Sequence, residues 1–338
     1  MGGFKVVYIY ANAFARCGNK VNTIYPAACR KGPRCVFGFW RTYSGRKNKS
    51  DWFPLEPEIE RIYVRTLHEK NIPDADVTIA TSYETSLFLN GYSEKKGKKF
   101  YLIQDLEIWS ASKKRVLQTW HFDMVKIVIS QHLLKIGQEH AVENLFYIPN
   151  AIDRKQYCIY NDYENRQKII AMMYSPAKRK GAQYGIKAIW EVKKQFPEVK
   201  VLMFGKVKRP DILPEWIKYY ENPAQTFIIK EIYNKASIFV CSSIYEGWGL
   251  PPMEAMACGA AVVTTDCGGV RDFAIPDQTA IFCPIKDPES MKAGIIKLLN
   301  DNELRVRLIQ NALCKISEFD WDISAKKFFD LIRDRILL

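Results

Sequence analysis

The sequence predicts an α/β protein built of parallel sheets and divided into two domains. Three observations carry this. Short runs rich in Val, Ile and Phe recur along the chain and alternate with segments of helical spacing, the pattern of β-α-β units. The 338 residues are long for one domain and ample for two, with 48% apolar residues to fill two cores. Near the middle, Pro149-Asn150-Ala151-Ile152-Asp153 and the polar run at 162–167 interrupt the alternation, so a domain boundary is placed after residue 152.

The chain opens on Gly2-Gly3. Val6, Val7, Tyr10, Ala11 and Phe14 then fall at helical spacing, and Gly18 suits the end of a helix. Residues 5–17 are therefore predicted as the first helix. A rival reading makes 4–10 a strand on β-propensity, but too little chain would remain for a crossover helix before Val21. Predicted strands follow at 21–25, 77–80, 100–103, 126–129 and 146–148. Predicted helices in this half cover 85–90 and 133–141. In the second half, strands are predicted at 169–174, 200–204, 238–241, 261–264 and 280–282. Helices there are predicted at 181–195, 228–235, 288–299 and 302–318, and a last one at 323–337.

Composition narrows the class. No run of about 18 apolar residues suggests a membrane span, and the N-terminus lacks the pattern of a signal peptide. The nine cysteines show no C-x-x-C spacing, and Cys241, Cys258 and Cys283 lie in apolar segments. A reducing, cytoplasmic setting without disulfides or a zinc site is expected. The net charge is +13, denser in residues 1–152 with 22 basic and 14 acidic side chains. Clusters stand at Lys95-Lys96-Gly97-Lys98-Lys99 and Lys113-Lys114-Arg115. A peripheral place on an anionic membrane face and an ordinary solvated surface account for this excess equally well. Charge alone supports nucleic-acid binding, since no motif for it occurs, and none is expected.

One run concentrates chemistry: Glu246-Gly247-Trp248-Gly249-Leu250-Pro251-Pro252-Met253-Glu254. An apolar strand precedes it, and another follows the Met253–Ala257 stretch. In open α/β sheets, ligands bind at the carboxyl ends of strands, against helix N-termini. Gly247 and Gly249 let backbone approach a ligand, and Pro251 suits a first helical turn. Free amides there, with the helix dipole, favour a phosphate. Carboxylates on both sides make sense if they accept hydrogen bonds from sugar or ribose hydroxyls.

Residues 243–266 closely resemble the E-x7-E signature of retaining glycosyltransferase family 4, which has the GT-B fold of two Rossmann-like domains facing a cleft. The resemblance implies that Glu246 and the amides of Gly247, Trp248, Gly249 and Leu250 meet donor sugar and phosphate, and that Glu254 holds the ribose. Ser175-Pro176-Ala177-Lys178-Arg179-Lys180-Gly181 resembles the family's G-R-x-x-x-x-K-G loop, which grips the diphosphate. Lys180 and Gly181 match its Lys-Gly pair. Ser175 stands where the family has Arg, so Lys178 or Arg179 is expected to supply the second charge. In the first domain, Gln104-Asp105-Leu106-Glu107 resembles the loop where many members carry His-Asp near the sugar, and residues 100–152 are similar to a rhamnosyltransferase-like branch. Gln104 cannot shuttle a proton at neutral pH, so Asp105, Glu107 or the donor phosphate would do so. Family members begin with a strand and a Gly-Gly loop, so Gly2 and Gly3 are expected on the acceptor side, and the first domain is expected to lack its first strand. The pairs Asp74-x-Asp76 and Asp320-x-Asp322 are read as incidental, and no metal or other cofactor is expected.

The expectation is therefore a retaining hexosyltransferase moving a hexose or deoxyhexose from a nucleotide-sugar donor to a glycan or lipid-linked acceptor. Domains are expected at 1–152 for the acceptor and 153–320 for the donor, with 321–338 crossing back to the first. The catalytic residues expected are Glu246, Lys180 and Asp105. A catalytically inactive relative, serving as a binding or scaffold protein, is the alternative; Ser175 and Gln104 favour it, and both glutamates oppose it.

Overall fold

The computed structural model describes residues 2–27 and 53–337, so Cys29 and Cys35 lie outside the described residues. The chain divides into two compact units, Met1–Asn150 with Trp321–Leu338, and Ala151–Asp320.

In the first unit, α1 (Gly2–Arg16) forms where helical spacing predicts it, and the β-propensity of 4–10 does not prevail. The helix buries Val6, Tyr8, Tyr10 and Ala11. The Tyr10 ring meets Phe328 edge-on at 5.0 Å and Trp321 at 5.7 Å, on the last helix of the chain, Trp321–Ile336. Strands β1 (Asn22–Pro26) and β2 (Glu60–Val64) pair in parallel. A four-stranded parallel sheet follows in the order β3 (Val77–Ala80), β4 (Lys98–Ile103), β5 (Val125–Val128), β6 (Leu145–Tyr147). Between these strands run α2 (Tyr83–Asn90), α3 (Lys113–Trp120) and α4 (Gln131–Glu139). Each starts on a serine, Ser82, Ser112 or Ser130, whose hydroxyl accepts an amide of the first turn.

The second unit is one parallel sheet. Its strands are β7 (Ile169–Met173), β8 (Lys200–Gly205), β9 (Ile217–Glu221), β10 (Ile238–Cys241), β11 (Ala261–Thr265) and β12 (Ile281–Cys283), in the spatial order β12-β11-β10-β7-β8-β9. Helices α5 (Ala182–Gln195), α6 (Leu250–Ala257), α7 (Pro288–Asn300) and α8 (Asn302–Ile316) accompany it, with a π-helical turn at Ile228–Tyr233. The last helix of the chain, in the first unit, is α9. Both faces of the central strands are covered, so β10 and β11 are buried at every position, which explains their unbroken apolar runs. Ile170, Met172, Val201, Met203, Val240 and Val263 form the middle of this core.

Sheet order has a consequence for function. The chain lays down β7, β8 and β9 outward in one direction, then returns to place β10 beside β7 and continues the other way. The boundary between β7 and β10 is thus a topological switch point, where loops leave neighbouring strands in opposite directions and open a crevice.

Four elements depart from the sequence reading. Strands β2 and β9 were not predicted; β9 is an edge strand with Lys218 and Glu221 exposed, and β2 carries Glu60 and Arg61 in five residues, so neither presents an unbroken apolar run. Helix α3 begins in the Lys113-Lys114-Arg115 cluster, read as a charge run, and hides its apolar side in Val116, Leu117 and Trp120. The helix predicted at 228–235 is a wider π-turn. No helix among the described residues is long and apolar enough to cross a membrane.

Candidate active site

The two loops at the switch point are the loops the sequence singled out. One leaves β7 and covers 174–181; the other leaves β10 and covers 242–249. They are fastened together by backbone. The Ile244 N–H donates to Arg179 O at 2.7 Å, and Ser242 Oγ donates to Lys180 O at 3.2 Å. Gly181 follows the tight turn Lys178–Lys180 with φ of 57°, and a Cβ there would lie 2.1 Å from Ser242 O. Only glycine fits both the left-handed backbone and the close approach.

This contact brings Lys180 to Glu246. Their Nζ and Oε1 lie 2.5 Å apart, and Ser243 Oγ donates to the same Oε1 at 2.6 Å. The two side chains are 14% and 8% exposed, so little water screens the pair. Backbone fixes Glu246 further, its N–H donating to Cys267 O at 2.7 Å and its carbonyl accepting Gly269 N–H at 3.0 Å. Lys180, Ser243, Glu246 and the first-turn residues Pro251 and Pro252 of α6 line one pocket above Met173 and Cys241. A cation, a carboxylate and a helix N-terminus thus converge on it. Such a set can bind an anionic group beside hydroxyls.

The other residues expected around the donor are distributed less simply. Lys178 is exposed, and Arg179 is half-buried with its carbonyl engaged by Ile244 and Tyr245 N–H. Gly249 takes φ of 99° and turns the chain into α6, beginning at Leu250. Gly247 packs closely too, its carbonyl 2.1 Å from where a Cβ on Gly269 would sit. The Trp248 indole is 3% exposed and packs between Phe273 and Phe319 at 5.5 and 5.4 Å, with Nε1 on Met253 Sδ at 3.3 Å. What Trp248 can offer a ligand is its backbone. Glu254 lies in the body of α6, 7% exposed, and does not line the pocket of Lys180. Its Oε1 accepts Tyr157 O–H at 2.8 Å and its Oε2 accepts Tyr233 O–H at 3.1 Å. Burial, then the Glu254 charge, pushes both phenols well above their usual range, so they remain donors.

Sequence reasoning missed Ser243, Tyr157 and Tyr233. Ser243 carries no signal beyond preceding the first glutamate by three residues. Tyr233 has the look of a core position, and nothing near Tyr157 in the sequence points to a carboxylate 97 residues away.

In the first unit, the structure places Gly3 beside Gln104, with Gln104 Oε1 3.3 Å from where a Cβ on Gly3 would stand. Gly2 starts the same helix. Gln104 Oε1 is buried without a hydrogen-bond partner among the described residues. Asp105 Oδ1 accepts Leu106 N–H at 2.8 Å. Glu107 is not an exposed loop carboxylate: its Oε1 accepts the Tyr83 N–H at 2.8 Å, at the start of α2. Burial pushes its carboxyl up to about 7, Asp105 and Glu84 push the same way, and the Tyr83 N–H opposes them. A carboxyl group half-protonated near neutrality suits proton transfer. Asp74 is paired with the buried Lys96 at 2.6 Å, a structural tie. Among the described residues no cluster of three or more His, Cys, Asp or Glu is placed to hold a metal ion.

Residues 160–313 match the family model described as Glycosyl transferases group 1. The matched residues lie within the second unit. Across 221 residues the chain is 24% identical to the phosphatidyl-myo-inositol mannosyltransferase of Mycolicibacterium smegmatis, covering 62% of this chain and 57% of that protein. Across 109 residues it is 31% identical to the N,N'-diacetylbacillosaminyl-diphospho-undecaprenol alpha-1,3-N-acetylgalactosaminyltransferase of Campylobacter jejuni, covering 32% of this chain and 29% of that protein. The chain therefore matches from under a third to somewhat over half the length of these curated relatives. In three dimensions it is similar to HepE of Anabaena, a crystal structure in complex with UDP-glucose, with a TM-score of 0.71 and 15% identity over 93% of this chain and 99% of that one. The fold is of the GT-B type, and the matched residues span both loops of the pocket.

Proposed function

We propose that this chain is a retaining glycosyltransferase that moves a hexose or deoxyhexose from a nucleotide-diphosphate sugar to a glycan or lipid-linked acceptor. The observation that carries the proposal is the buried Lys180–Glu246 pair at the switch point, beside the N-terminus of α6. A leaving diphosphate gains negative charge as the glycosidic bond breaks. Lys180 Nζ and the N–H groups of the loop that enters α6, ending with Leu250 because Pro251 and Pro252 carry none, are the groups available to stabilise it, in a poorly hydrated site where such charges act strongly. Glu246 accepts hydrogen bonds from sugar hydroxyls, and Glu254 from the ribose. The acceptor oxygen attacks the anomeric carbon from the face the diphosphate leaves, and its proton passes to the departing phosphate oxygen. No protein nucleophile and no metal ion enters this scheme. The first unit is proposed to hold the acceptor through Gln104, Asp105 and Glu107.

The relatives support an acceptor of this class, since one acts on phosphatidyl-myo-inositol and another on a diphospho-undecaprenol-linked sugar. Contact with an anionic membrane face belongs to the same proposal. Leu87, Ile108 and Trp109 are 46%, 50% and 52% exposed, and the exposed Lys113, Lys114 and Arg115 follow on α3. Together they make an apolar and basic patch of the kind that rests on lipid headgroups. A scaffold that binds no donor would have no need to keep Lys180 and Glu246 paired in a pocket. The direct test is incubation with a panel of nucleotide sugars and lipid-linked or glycan acceptors, with mass spectrometry for transfer and NMR for the anomeric configuration. Transfer with inversion would overturn the retaining scheme, and hydrolysis or transfer by no donor would overturn the activity.

A further inference from the structure

The geometry around Glu254 points to Tyr157 and Tyr233 as positioning residues: we propose that their hydroxyls hold this carboxylate in the one orientation that recognises a ribose diol. The inference rests on the nucleotide-donor reading above.

Both phenols are 1% exposed, so each must spend its hydroxyl on a protein partner, and each has spent it on Glu254. They take one oxygen apiece, which fixes the carboxylate plane as a single donor could not. The two tyrosines reach it from unrelated parts of the unit. Tyr157 lies just after the turn Pro149–Asp153, where its N–H donates to Asp153 O at 2.8 Å. Tyr233 closes the π-helical turn, and the wider winding there sets its ring against Phe204 and Phe239, with centroids 5.8 and 5.5 Å away. π-turns cost hydrogen-bond geometry and recur where a side chain must be aimed.

The backbone beneath is locked as well. The Arg166 guanidinium donates to Tyr233 O at 3.2 Å and Ala236 O at 2.9 Å, and to Cys258 O at 2.7 Å and Gly259 O at 2.9 Å. One side chain thus ties the end of the π-turn to the carbonyl end of α6. The helix bearing the carboxylate and the turn bearing one of its donors cannot shift independently. A phenylalanine would fill the same space at either tyrosine. The hydroxyls therefore matter for what they do to Glu254 more than for packing.

The test compares each nucleoside diphosphate that binds the wild type with its 2′-deoxy form, by calorimetry, in the wild type and in Tyr157→Phe, Tyr233→Phe and Glu254→Gln. The expected result is a wild-type preference for the ribo form that falls about tenfold in each tyrosine variant, the size of one hydrogen bond to a charged group. Glu254→Gln should lose the same preference. A merely structural role would lower melting temperatures and leave the ribo-to-deoxy ratio in place, and that outcome overturns the inference even if one variant is too unstable to purify. If Glu254→Gln loses the preference and neither tyrosine variant does, the donor reading stands and the inference falls. If no nucleoside diphosphate binds the folded wild type, the donor reading itself falls and takes the inference with it.

Discussion

Glu107→Gln is expected to stabilise the protein, and to do so only above mildly acidic pH. The carboxyl titrates near 7 in the folded chain against an ordinary value of 4.5, chiefly because it is partly buried. Below pH 4.5 it is protonated whether the chain is folded or not, and the group contributes no penalty. Between 4.5 and about 7 the unfolded chain releases the proton and the folded chain retains it, so stability falls as pH rises, then levels off. The gap, at ~1.4 kcal/mol per pH unit, sets a ceiling of about 3 kcal/mol. Glu107 is half-buried, and solvent screening reduces the expected penalty to about 1–2 kcal/mol. Glutamine keeps an oxygen to accept the Tyr83 N–H now held at 2.8 Å, so the substitution removes the charge and spares the cap. Urea denaturation of both proteins at intervals from pH 4 to 8 measures the effect. The curves should meet near pH 4 and diverge in favour of Glu107→Gln by about 1–2 kcal/mol at pH 8. Parallel curves, or a variant less stable at pH 8, would show that this carboxyl is ordinary and remove it as a candidate acid or base.

Gly181→Ala should destabilise by at least about 1–2 kcal/mol for its left-handed backbone, with more from a Cβ 2.1 Å from Ser242 O, and should weaken donor binding; chemical denaturation with calorimetry checks both, and a neutral outcome would mean the two loops are not held as described. Transfer activity is expected to persist in excess EDTA, because Lys180 and the N–H groups of the loop that enters α6 supply positive charge to the leaving group; strict dependence on magnesium or manganese would refute that. Sedimentation with vesicles rich in anionic lipid should pull down the wild type, and much less of a Trp109→Ser, Lys113→Glu variant, while equal recovery would remove the patch from the membrane proposal.

The donor loops were legible because their meaning is local. Glycines, a Pro-Pro helix start and flanking apolar strands lie consecutively, and the sheet then places both loops at one switch point. The pairing of Lys180 with Glu246 could be expected from the resemblance alone, since 66 residues separate them and no spacing rule joins them. Trp248 illustrates the limit of reading a motif residue by residue, for Glu246 and Pro251 on either side of it line the pocket while its indole fills the core against Phe319. Tyr157 and Tyr233 were illegible for a related reason: a buried hydroxyl looks like any aromatic core residue until its partner is known. The burial of Glu107 was illegible, because sequence does not reveal that a helix begins against it. The missed strands β2 and β9 are short and half-exposed, and the missed α3 wears its charges on the turn that starts it.

The central claim is that the pocket of Lys180 and Glu246 receives a nucleoside diphosphate. Calorimetric titration of the wild type and Lys180→Met with a nucleoside and its diphosphate tests it most directly. The account predicts that the diphosphate binds the wild type more tightly than the nucleoside, and that Lys180→Met loses about tenfold or more of diphosphate affinity while nucleoside affinity barely changes. Equal affinities for the diphosphate in the two folded proteins would contradict it.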